Sequence, residues 1–161
     1  MATQGQNSNI KKFISHRGNL QGRKPQLENS PEYILEAINA GFDVEIDVRY
    51  IDGKFKLGHD SPKYDFPFNL IDRYSKKLWL HCKNLQAVVA LSNFPLNTQL
   101  NYFWHQKDDV TLTSKGYIWA FPGKQPLLGS IAVLPEIYND NISESDGICS
   151  DYILDYKNNI R

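Results

Sequence analysis

No stretch of this chain approaches the roughly 20 consecutive apolar residues that a membrane-spanning helix needs. An excess of one charge is also missing. Lys and Arg number 18 against 18 Asp and Glu, so the total charge gives neither a nucleic-acid footprint nor a polybasic membrane anchor. Any basic site must be local. Cysteine is scarce: Cys82 and Cys149 are the only two, and both fall inside strand-like apolar runs. Met1 to Asn9 is polar and carries no apolar signal core. In such a chain two cysteines read as reduced core thiols rather than a disulfide, with a metal-thiolate role as the minority alternative. Internal repeats and linkers are absent too. Together these absences predict a soluble, cytoplasmic protein with no integral membrane segment and no nucleic-acid partner.

What is present fits one ordinary globular domain, with 161 residues of which 41% are apolar and 22% charged. Residues 1–11 lack periodicity and are rich in Gln, Asn and Ser, which predicts a flexible N-terminal segment ahead of a single domain over 12–161. Within that domain the stretch Asp43-Val44-Glu45-Ile46-Asp47-Val48 stands out. On a strand, Val44, Ile46 and Val48 would share one face and Asp43, Glu45 and Asp47 the other. Carboxylates on an otherwise apolar strand need a cationic partner, whether a metal, Arg or Lys.

Before it, Lys12 to Ser15 reads as a short buried strand running into His16-Arg17-Gly18. Asn29 or Ser30 can cap a helix with Pro31 as its first residue, and Ile34, Leu35 and Ile38 recur at helical spacing before Gly41. Strand, helix and acidic strand make a βαβ unit. After it, Asp52-Gly53 signals a tight hairpin that returns the chain to His59-Asp60. Lys77 to His81 is the next strand, followed by Cys82-Lys83 and a short helix capped by Asn84. Further strands are expected at Leu100–His105, Tyr117–Phe121, Ile131–Leu134 and Ile148–Tyr152. This order predicts a parallel α/β architecture, a compact TIM-type (β/α) barrel. Such barrels usually need about 250 residues, so some outer helices should be shortened or missing. Apolar strand faces left bare in that way lean the reading toward a homo-oligomer.

If each preceding strand is parallel, His16, Glu45, Asp47 and His59 converge at the carboxyl ends of the strands. Two histidines beside two carboxylates suit metal-assisted acid-base chemistry, and Arg17 and Lys83 could neutralise a phosphate. At this point the residue order resembles a known family. His16-Arg17-Gly18, Glu28-Asn29-Ser30, Glu45-Ile46-Asp47-Val48, Asp52-Gly53 and His59-Asp60 are similar to the opening signature of glycerophosphodiester phosphodiesterases, in the phospholipase-C-like superfamily. Asp146 to Tyr152 is similar to the family's final strand. The resemblance implies that His16 and His59 are the general acid/base pair and that Glu45 and Asp47 ligate a divalent cation, Mg²⁺, Mn²⁺ or Ca²⁺. It also implies that Arg17 holds the phosphate and that Glu28 orients these groups from beneath.

One departure bears on the metal. Where the family's third strand ends in Glu, any residue, Lys, this chain has His81-Cys82-Lys83. An imidazole in place of a carboxylate makes His81 a candidate ligand and adds Zn²⁺ to the cations expected. The function expected is metal-dependent hydrolysis of a small glycerol- or sugar-linked phosphodiester. Two rivals stay open: an inactive or weakly active barrel that binds a phosphorylated ligand, and a lyase that releases a cyclic phosphate.

Overall fold

The computed structural model describes residues 10–160. The flexible segment expected over 1–11 thus lies outside the described residues except for Ile10 and Lys11. Ile10 packs against Phe42, Ile148 and Ile153, and the Lys11 N–H donates to the Asp146 carbonyl at 2.7 Å.

Alternation along the acidic stretch sets the layering. β1 (Lys12–His16) leads through α1 (Pro31–Asn39) to β2 (Asp43–Ile51). Ser30 caps α1 by accepting from the Tyr33 N–H, and Pro31 starts the helix where no N–H is needed. Val44, Ile46 and Val48 turn to the outer face of β2 and are fully buried under the helices. Glu45 and Asp47 turn inward. The Asp52-Gly53 hairpin folds β3 (Lys54–Leu57) back antiparallel on β2, and β4 (Tyr64–Asp65) pairs with β3. α2 (Phe68–Tyr74) then precedes β5 (Leu78–Cys82), and α3 (Leu85–Ser92), capped by Asn84, precedes β6 (Asn101–Trp104). The rest of the chain is strand-rich: β7 (Val110–Leu112), β8 (Ile118–Ala120), β9 (Ser130–Val133), β10 (Gly147–Ser150) and α4 (Ile153–Asn159).

Seven strands run parallel in the order β6-β5-β2-β1-β10-β9-β8, with β3 antiparallel to the C-terminal half of β2 and β7 antiparallel beyond β8. The TIM-type barrel expected from sequence does not form. The sheet is mixed and curled into a half-barrel, because β6 and β8 do not pair. Residues 105–109 and 113–117 are connections too short for a helical crossover, so β7 can only turn back antiparallel to β8. The gap beside β6 is spanned by local bonds around Ser114, whose N–H donates to the Tyr102 carbonyl at 2.8 Å and whose hydroxyl accepts from the Tyr102 N–H at 3.0 Å. Nor does the second half alternate strand with helix. Outward-facing Ala120, Ser130 and Ala132 are small and fully buried without one. Gln125 fastens the covering loop there by donating to Ser130 Oγ at 2.9 Å and accepting from Ser145 Oγ at 3.0 Å. No helix among the described residues is long and apolar enough to cross a membrane.

Large aromatic rings fill the concave side. Trp119 lies 5.7 Å from Trp79 and 4.6 Å from Phe103 between ring centroids, above Ile14, Ile131 and Cys149. Trp119→Ala would empty the middle of this cluster and should cost about 3–5 kcal/mol of unfolding free energy in urea. A loss below about 1 kcal/mol would mean that the concave core does not depend on that ring.

Candidate functional site

The carboxyl ends of β10, β1, β2, β5 and β6 are consecutive in the sheet, and side chains at the ends of β1, β2, β5 and β6 open into a cavity of about 700 Å³. Its polar wall carries His16, Arg17, Glu45, His59, His81 and Lys83. Trp119, Phe121, Val133 and Leu134 form much of the opposite wall.

Asp47 is the most enclosed member, with no exposed surface. Its Oδ2 faces Arg17 Nε at 2.8 Å and accepts from Asn29 Nδ2 at 2.9 Å, while its own N–H donates to Asn29 Oδ1 at 2.8 Å. Burial would raise the Asp47 pKa, but the charges of Arg17, His81 and Lys83 and the Asn29 hydrogen bond outweigh it and lower the value. Arg17 and Asn29 reach this carboxylate from left-handed backbone, at φ 56° and 65°. Gly18 makes the turn beyond Arg17 feasible, since a Cβ there would meet Tyr33 Cδ1 at 2.6 Å.

His16 ends β1 with Nδ1 at 2.7 Å from Asp151 Oδ1 and Nε2 at 3.8 Å from Glu45 Oε2. Burial disfavours its charged form, yet Asp151 and Glu45 prevail and its pKa is raised. Asn19 Nδ2 donates to both Asp151 Oδ1 at 2.8 Å and Glu28 Oε1 at 3.1 Å. Glu28 in turn holds Arg17 Nη1 at 3.3 Å and Arg23 Nε at 3.1 Å. Burial alone would raise the Glu28 pKa; hydrogen bonds from Arg23 and Asn19 and the nearby Arg charges lower it to about 2.

β5 lies beside β2 in a register that sets His81 opposite Asp47. His81 Nδ1 lies 3.3 Å from Glu45 Oε1 and 3.6 Å from Asp47 Oδ1, and Lys83 Nζ lies 3.9 Å from Asp47 Oδ1. His59 follows β3 at the mouth of the cavity, half-exposed, with Nδ1 at 2.7 Å from Asp60 Oδ1. The turn before it requires Gly58, because a Cβ there would come within 2.0 Å of the Ser61 carbonyl oxygen.

The donor set fits a divalent cation. One ligand atom from each of Glu45, Asp47 and His81 lies within 4.8 Å of the others, and Glu45 Oε2 and Asp47 Oδ1 are buried without a hydrogen-bond partner. The cysteines take no part. Both are free and buried, and burial pushes the Cys82 thiol up to about 12.

All the residues singled out in the sequence for this site therefore lie around one cavity or directly beneath it. The sequence gives no role to Asn19, offers Asn29 only as a cap candidate and as part of the Glu28-Asn29-Ser30 motif, and marks Asp151 only as part of a final strand. The Asn-Ser pair ahead of Pro31 and the Glu28-Asn29-Ser30 motif are the signals for Asn29, and nothing local marks Asn19. Asp43 sits at the far end of β2, paired with Lys77 at 3.1 Å and bonded to Trp79 Nε1 at 3.2 Å. Glu136 lies outside the cavity wall and accepts from the Ser150 hydroxyl at 2.9 Å and the Asp151 N–H at 3.1 Å. Compared with protein-family models, curated proteins and solved structures, the chain shows no match.

Because the Glu28 pKa is held below its ordinary value, its contribution to stability is present above about 4.5 and is lost as pH falls toward about 2. Glu28→Gln should lower stability at neutral pH and flatten the decline across that acid window in chemical denaturation series. An unchanged acid slope would count against the assignment.

Proposed function

We propose that this chain is a metal-dependent phosphodiesterase acting on a small glycerol- or sugar-linked phosphodiester. The observation that carries the reading is the meeting of His16, His59, Arg17, Lys83 and the buried carboxylates of Glu45 and Asp47 at one cavity or directly beneath it. The likeness of the segment from Phe13 to Asp60 to glycerophosphodiester phosphodiesterases supports the same reading. In it, His16 and His59 are the acid/base pair. Asp151 accepts the Nδ1–H of His16 and Asp60 that of His59, which leaves each Nε2 to exchange a proton with substrate. One histidine takes a proton from the attacking hydroxyl as it bonds to phosphorus. The other protonates the alcohol oxygen as its bond to phosphorus breaks. Attack by water yields a phosphomonoester and an alcohol, whereas attack by a neighbouring substrate hydroxyl yields a cyclic phosphate and the same alcohol.

Arg17 is ion-paired to Asp47 at Nε and donates through Nη1 to Glu28, so its guanidinium is held in place with Nη2 left for a phosphate oxygen. Lys83 supplies a second positive charge at the same wall. A divalent cation held by Glu45, Asp47 and His81 would supply Lewis-acid stabilisation of charge on the phosphoryl oxygens. Of the partner classes expected from sequence, the small phosphodiester is the one the cavity supports. Free buried thiols accord with a cytoplasmic setting.

Phosphorus NMR of a glycerophosphodiester panel with added divalent ions should show cleavage. His16→Ala and His59→Ala should each slow it by about 10²–10⁴-fold. A monoester product identifies hydrolysis, and a persistent cyclic product identifies the lyase reaction instead. Unchanged substrate, or activity that survives both substitutions, would refute the proposal.

A further inference from the structure

We infer that His81 makes the Glu45/Asp47/His81 centre selective for imidazole-preferring transition cations, Zn²⁺ or Co²⁺, over Mg²⁺ and Ca²⁺. This deepens the functional reading above, on which its catalytic relevance rests, but the selectivity follows from the side chains themselves. His81 Nε2 lies 2.8 Å from the His105 carbonyl oxygen. A carbonyl only accepts, so Nε2 carries the proton, and in the neutral ring the lone pair is on Nδ1. That atom faces Glu45 Oε1 at 3.3 Å and Asp47 Oδ1 at 3.6 Å. Stacking on Phe103, at 4.9 Å between centroids and 18° between planes, fixes the ring in this orientation.

The carboxylates are committed in the same sense. Arg17 and Asn29 occupy Asp47 Oδ2, which leaves Oδ1 unpartnered and directed at His81. Glu45 is only 1% exposed, and its Oε2 is also unpartnered. Anionic oxygens buried in this way favour a positively charged partner at close range. Yet Arg17 and Lys83 already match the two carboxylates in formal charge. Hard cations depend on the number and charge of oxygen ligands, and this centre offers few oxygens and little net charge. An ion that gains from a directional nitrogen bond loses less here, and imidazole suits Zn²⁺ and its neighbours.

The test uses the 161-residue chain stripped of metal, with each ion titrated by calorimetry and Co²⁺ also followed by its visible absorption. One equivalent of Zn²⁺ or Co²⁺ should bind at least tenfold more tightly than Ca²⁺ or Mg²⁺. His81→Gln should weaken Zn²⁺ binding at least tenfold and change the Co²⁺ spectrum, and His81→Glu should shift preference toward Mg²⁺ and Ca²⁺. Circular dichroism melts establish that both variants fold, and a variant that does not fold is replaced by His81→Asn. Equal or tighter Ca²⁺ binding, Zn²⁺ binding unaffected by His81→Gln, or no ion bound would each overturn the inference. Phosphodiester cleavage is assayed on the same samples. Cleavage with Ca²⁺ as the preferred ion sinks the selectivity and leaves the functional reading standing; selective Zn²⁺ binding without cleavage does the reverse.

Discussion

Placing Glu45 and Asp47 on the inward face of β2 buries two carboxylates in a space otherwise lined by Trp79, Phe103 and Trp119, and the neighbouring structure is arranged around that cost. An ion transferred into such surroundings loses several kcal/mol of solvation unless charges and hydrogen bonds replace the water. The replacement comes from both sides of the strand. Arg17, beyond β1, and Asn29, ahead of α1, bind Asp47 on one side, while His81 and Lys83 approach from β5 on the other. Because β1 and β5 both pair with β2, sheet order delivers opposite charge to each flank. The left-handed backbone at Arg17, which costs about 1–2 kcal/mol, is sustained by this demand.

The same contacts close into a ring. Asp47 holds Arg17, Arg17 holds Glu28, and Glu28 and Asp151 share Asn19; Asp151 then holds His16, whose other nitrogen faces Glu45, two residues from the start. Each member is paired in charge or hydrogen-bonded with the next, so removal of one leaves a buried polar group without that partner. Substitutions within the ring should consequently be non-additive. The arrangement joins the first and last strands, since Asp151 follows β10 and His16 ends β1.

Period-two alternation made Glu45 and Asp47 legible in the sequence, and side-chain chemistry made Ser30 and Asn84 legible as caps. Closure of the barrel was not legible. A short apolar run such as Ile131 to Leu134 looks the same in an open sheet as in a closed one. The strand that decides the matter, Val110 to Leu112, is three residues long with both apolar side chains exposed. Asn19 and Asp151 escaped for a different reason. Asp151 reaches Asn19 and His16 across 132 and 135 residues, and isolated polar residues in loops carry no periodic signal. His81 could be suspected as a ligand, but its side of the strand depended on the β2–β5 register, which only tertiary structure fixes.

Opening the barrel and retaining the polar centre are compatible because they involve different arcs of the sheet. The centre draws on β10, β1, β2, β5 and β6, which are contiguous, whereas the break lies between β6 and β8. No inward-facing polar group of the centre belongs to β7, β8 or β9, whose contribution to the concave side is apolar bulk from Trp119, Ile131 and Val133. That arc needs only volume, which one indole ring can provide in place of a longer, helix-backed strand. Shortening the second half therefore leaves the ligand register intact: that register is set by pairing between β1, β2 and β5, each backed by helices or by strands it pairs with directly.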